Sequence, residues 1–78
     1  MVVVMNYAQR IRDLREDRDL NQTEVATFLN TSQTVYSRYE RGERPLPIEV
    51  LIKLCKFYNI SPEYILGFTN TPKELPKK

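Results

Sequence analysis

Residues 21–42 read NQTEVATFLNTSQTVYSRYERG, and this stretch decides the fold. Asn21 has a side-chain oxygen suited to the free N–H groups of a first helical turn. Glu24 stands three residues on, at capping-box spacing. Val25, Ala26 and Leu29 then line one apolar face. Asn30-Thr31-Ser32 breaks the pattern, because Asn tolerates the left-handed backbone that a tight turn needs. Ser32 can cap a second helix reaching about Arg41, and Gly42 is placed to stop it.

The reading extends outward in both directions. Upstream, Asn6 with Gln9 repeats the capping-box spacing, and Tyr7, Ile11 and Leu14 recur at helical intervals, with charge on the other face as far as Asp19. Residues 1–5, MVVVM, form an apolar arm ahead of it. Downstream, Glu43 to Leu46 reads as a loop, and Pro47 suits the first turn of a further helix. Val50, Leu51, Leu54, Cys55 and Tyr58 give that helix its buried stripe. Ser61-Pro62-Glu63 combines a cap, a first-position proline and an acidic first turn, and Gly67 closes the short helix it opens. Thr69 to Lys78 holds two prolines and three lysines with little to bury, and is expected to be a mobile tail. The fold class is therefore all-α, with five helices in one domain over residues 1–68 and a flexible tail over 69–78.

Composition narrows the chemistry. The chain has 78 residues, enough for one small core, and 41% of them are hydrophobic. One cysteine excludes an intrachain disulfide, and the absence of histidine excludes a His/Cys zinc site or a His-based triad. Cys55 reads as a small core residue rather than a redox switch. Only two glycines are present, both punctuating helices, so there is no phosphate-cradling loop. No enzyme activity, metal or cofactor is implied. The net charge of +2 does not by itself favour nucleic acid, but three of the seven arginines fall between Arg38 and Arg44. No apolar run approaches the roughly 20 residues that cross a bilayer, and no signal peptide is present. A cytoplasmic protein is expected.

A capped helix, a turn and a second helix match the layout of the DNA-binding helix-turn-helix. The helix after Ser32 has two unlike faces. Tyr36, Tyr39 and Glu40 share one, where spacing suits a core better than a platform for stacked bases. Gln33, Thr34, Ser37, Arg38 and Arg41 share the other. Gln can bond adenine in a bidentate way, Arg can do the same to guanine, and Ser and Thr can bond several base edges. The competing reading of such a face is simple solvation.

The runs Leu20–Ala26, Ser32–Gly42 and Ile60–Gly67, with their LxQxxxA, SxYExG and YxLG patterns, resemble the Xre family, the lambda-repressor and Cro type of helix-turn-helix domain. The resemblance covers residues 6–68. It implies a five-helix lambda-repressor-like fold, with helices 2–3 as the helix-turn-helix and the third helix in the major groove. Gln33 and Thr34 match base-contacting positions, while Ser32 and Arg38 match positions that contact bases or nearby phosphates. Gln22, Arg41 and Arg44 match positions at the phosphate backbone. Arg15 and Glu40 match a partly buried salt bridge. The family usually has Gly where Asn30 stands and an apolar residue at Thr31.

The function expected is sequence-specific binding of double-stranded DNA by a transcriptional repressor or autoregulator. The alternative is an antitoxin-type protein that neutralises a protein partner. One recognition helix reads too few base pairs to find a genomic site, so a homodimer on a palindromic operator is expected. Ile60, Ile65 and Phe68 around the fifth helix are the expected dimer surface, with Val2, Val3 and Val4 as the second choice.

Overall fold

In a computed structural model that describes residues 7–75, five helices follow one another with no strand among the described residues. They are α1 (Tyr7–Asp17), α2 (Gln22–Phe28), α3 (Gln33–Glu40), α4 (Ile48–Tyr58) and α5 (Pro62–Ile65). The Asn6 cap and the arm 1–5 expected from sequence lie outside the described residues, as do residues 76–78.

Local chemistry starts the helices of the central motif. The Asn21 side chain accepts from the Glu24 backbone N–H, and the Glu24 carboxylate accepts from the Asn21 N–H, both at 2.8 Å. Ser32 Oγ accepts from the Val35 N–H at 3.1 Å. Pro47 sits at the N-cap of α4, one residue earlier than expected, with its ring holding φ at −63°. Ser61 precedes the first-position proline of α5, yet its hydroxyl makes no cap bond and is buried without a partner.

The stops are alike in all five helices. A residue with positive φ follows the last turn: Asp19, Asn30, Gly42, Asn59 and Gly67. The next N–H then bonds back five residues, from Leu20 to the Arg15 carbonyl, Thr31 to Ala26, Glu43 to Arg38, Ile60 to Cys55 and Phe68 to Glu63, at 2.9–3.2 Å. This is the Schellman closure, which satisfies a carbonyl the helix would leave open.

These boundaries aim the apolar stripes at one core. Ile11 and Leu14 of α1 meet Val25, Ala26 and Leu29, Tyr36 and Tyr39 of α3, and Leu51, Leu54, Cys55 and Tyr58 of α4. Ile60 and Ile65 close the cluster, and Ile11, Val25, Tyr36, Leu54 and Ile65 are wholly buried. Each such aliphatic side chain contributes about 1.5–3 kcal/mol on leaving water. The segment expected to be a mobile tail is tied down as far as it is described. The Ser61 N–H donates to the Lys73 carbonyl at 2.7 Å, and Leu75 packs half-buried against the core. An apolar side chain and an open backbone donor, neither evident from composition, hold it there.

Candidate nucleic-acid interface

The core pins one face of α3 and so fixes the other. Tyr36, Tyr39 and Glu40 are buried, whereas Gln33, Thr34, Arg38 and Arg41 are exposed and Ser37 is half-buried. Ser32, itself exposed, gives its Oγ to the cap. The five side chains with base-reading chemistry therefore share a solvent-facing strip that starts at the helix N-terminus.

A polar chain connects this strip to the interior. The Arg15 guanidinium donates to both oxygens of Glu40, at 2.7 and 3.0 Å, and also to the Leu20 carbonyl at 2.8 Å. Gln22 Nε2 donates to Glu40 Oε1 at 3.0 Å, and Gln33 Nε2 donates to Gln22 Oε1 at 2.6 Å. The Gln33 amide is thus held by a residue that is itself held by a buried ion pair. The Glu40 carboxylate keeps one oxygen on Arg15 and shares the other between Arg15 and Gln22.

Electrostatics follow this geometry. Burial alone would raise the Glu40 carboxyl, but the Arg15 guanidinium first, then the Tyr36 hydroxyl and the Gln22 amide, outweigh it and hold the group below the usual carboxylate range. The bond to Glu40 raises Arg15 in turn. Burial, followed by the nearby Glu40 carboxylate, pushes the Tyr36 phenol far above its ordinary value, and burial pushes Tyr58 up to about 12. Burial likewise raises the Cys55 thiol, which fits a core residue.

The arginines expected at a phosphate backbone flank the strip. Arg41 is exposed and pairs with Glu43 at 3.2 Å. Arg44 is exposed, and its carbonyl accepts from the Tyr7 hydroxyl at 2.6 Å, so the first residue of α1 restrains the loop that carries Arg44. Sequence reading missed this bond, since Tyr7 carried only an apolar signal. It also missed Arg10, which is buried among the apolar positions of α1. The available signal was a cation three residues after Tyr7 and four before Leu14, on the apolar stripe.

The expected dimer surface needs correction. Ile60 and Ile65 are core residues, 7% and 0% exposed, and cannot meet a partner. Phe68 is 78% exposed. The other exposed apolar residues on this side are Ile48, Ile52 and Leu66, which with Cys55 and Pro62 line a groove of about 370 Å³ between α4 and α5. The α5 stripe points inward because the short helix packs against α1 and α4 and buries Ile65 between them. Among the described residues no group of acidic, cysteine or histidine side chains could hold a metal, and no helix is long and apolar enough to cross a membrane.

Known proteins resemble the chain in sequence and fold. A family model described as helix-turn-helix matches residues 11–65. The cryptic phage CTXphi transcriptional repressor RstR of Vibrio cholerae is 43% identical over 54 residues, 69% of this chain and 49% of RstR. The antitoxin PezA of Streptococcus pneumoniae is 34% identical over 59 residues, 76% of this chain and 37% of PezA. The chain thus spans about half, or less, of these relatives. Among solved structures, the P22 c2 repressor in complex with a synthetic operator superposes with a TM-score of 0.75 at 28% identity, over 83% of this chain and 98% of that one.

Proposed function

Because the chain belongs to the helix-turn-helix family, in its Xre branch, we propose that it binds double-stranded DNA by sequence and regulates transcription as a repressor or autoregulator. The observation that carries this reading is the Arg15–Glu40–Gln22–Gln33 chain, which presents a base-reading amide in a fixed pose at the start of α3. Gln33 and Thr34 read base edges first. Arg38 and Ser37, one turn on, and Ser32 at the cap reach bases or neighbouring phosphates. Gln22, Arg41 and Arg44 contact the phosphate backbone, which sets register without specifying sequence. Gln22 retains one amide hydrogen for that contact.

The test is selection of an operator from random DNA, followed by Gln33→Ala. We expect a loss of about 1–3 kcal/mol at the selected site, relaxed choice at one or two positions and little change on nonspecific DNA. Undiminished binding to the selected site would remove Gln33 from the reading face.

The working unit of this reading is a homodimer on a palindromic operator in the cytoplasm. Two-fold symmetry requires one patch to complement itself. The α4–α5 groove and the protruding Phe68 meet that requirement, with Phe68 of each copy seated in the groove of the other. Phe68→Glu is expected to give a monomer.

The similarity to PezA supports a second reading, in which the chain neutralises a protein partner and DNA binding is secondary. Purification of the tagged chain from its own cells separates the two. A stoichiometric second protein favours the partner-binding role, and the chain alone favours the regulator.

A further inference from the structure

Arg10 is 4% exposed, and among the described residues no carboxylate pairs with it. Its Nε is buried without a partner. Burying a cation in this way is costly, so whatever compensates it is informative. Two contacts do. The guanidinium lies over the Tyr64 ring, 4.1 Å from the centroid, and NH2 donates to Asn70 Oδ1 at 2.8 Å.

Tyr64 and Asn70 bracket a short loop. Between them lie Leu66, Gly67 and Phe68, and Phe68 stands at the apex, 78% exposed. The loop has its own backbone bonds, Gly67 N–H to the Tyr64 carbonyl at 3.2 Å and Phe68 N–H to the Glu63 carbonyl at 2.9 Å. Those bonds fix the turn at Gly67 but leave the outgoing chain free. Asn70 is the first point at which the outgoing chain is caught, by Arg10, three residues before the Ser61 N–H holds the Lys73 carbonyl.

We propose that Arg10 is a positioning residue for self-association: it clamps both ends of the 64–70 loop, from α1, and thereby presents Phe68 to a second copy of the chain. This rests on the homodimer reading above. The clamp holds the loop in place before association, so ordering it costs nothing at the moment of binding. A planar guanidinium suits the task because one face stacks on an aromatic ring while the edge still donates. Lysine would offer the charge on a single nitrogen, without a flat face to stack on the ring.

The test uses the full chain with three exposed-site variants, Asn70→Ala, Asn70→Asp and Phe68→Glu, chosen because Arg10 replacement risks the fold. Sedimentation gives the dimer constant, and amide hydrogen exchange reads the loop. Asn70→Ala should weaken the dimer about ten- to a hundredfold, one three- to tenfold ordering cost for each of the two loops. It should speed exchange at Gly67 and Phe68 while leaving α1–α4 unchanged. Asn70→Asp supplies Arg10 with a carboxylate and should associate at least as tightly as the parent. An Asn70→Ala dimer of parental strength, beside a monomeric Phe68→Glu, overturns the clamp and keeps the homodimer. A Phe68→Glu protein that dimerises like the parent overturns the homodimer reading itself. Exchange accelerated evenly over the whole domain assigns Arg10 to general stability and also overturns the clamp.

Discussion

At the scale of single residues, Glu40 has the most consequences. It is 8% exposed and its acceptors are used by Arg15 and Gln22. Removing one partner of such a pair strands the other, at a typical cost of about 3–5 kcal/mol. A chain of this length holds about 4–12 kcal/mol in all. Arg15→Ala should therefore bring the domain close to unfolding at 37 °C, as urea titration would show; a loss under about 1 kcal/mol would mean the pair is solvated in solution. The pH dependence has a definite sign. Glu40 sits below its unfolded value of 4.5 in the folded protein, so its stabilisation is complete above that value and is lost as pH falls through the folded one. Urea midpoints of the parent should fall on acidification from pH 5 to 3, and the Glu40→Gln variant should lose this share of the slope while starting lower. The pair spans 25 residues, and only the family pattern exposed it in the sequence. The Gln22–Gln33 bond was not legible, since it depends on how α2 crosses α3, an angle no local spacing encodes.

At the scale of elements, boundaries were the most readable feature. The capping box at Asn21, the Ser32 cap and the Gly42 stop all work through backbone groups within a few residues, which is why spacing alone revealed them. Asn59 escaped notice because an asparagine at a helix end gives a weaker signal than glycine. It holds a φ of 55° without glycine's freedom. Asn59→Gly should therefore stabilise the domain, by roughly 0.5–1 kcal/mol after the entropy glycine restores to the unfolded chain. Thermal melting would register this as a higher midpoint, and a lower one would show that the Asn59 side chain makes its own contribution. The contacts of the tail escaped notice for the converse reason. Its prolines and lysines describe solvation well, but attachment through the Lys73 carbonyl and Asn70 depends on where α1 and α5 place their partners.

At the scale of the whole molecule, charge is placed more tellingly than it is counted. Net charge is only +2, yet Arg38, Arg41 and Arg44 stand exposed beside the α3 reading strip. On the proposed reading Arg41 exchanges Glu43 for a phosphate, a cheap trade because an exposed pair is worth about 0–1 kcal/mol. Replacing Arg41 or Arg44 by alanine should weaken binding to every sequence and reduce the slope of log K against log salt by about 0.9 for each phosphate no longer neutralised. Slopes unchanged in both variants would place these side chains away from DNA. Which apolar residues remain outside was not legible either, because Ile60 and Ile65 differ from Phe68 only in where the short α5 settles. The uniform way the five helices stop has a kinetic corollary. Each closure joins residues five apart, so where each helix ends is decided by near neighbours. Loop-closure entropy then burdens only the docking of the helices on one another, the step that also stabilises helices this short. A helical domain built from such near-neighbour decisions should reach its native state within roughly microseconds to milliseconds, leaving newly made copies little time in which their apolar stripes face one another unfolded.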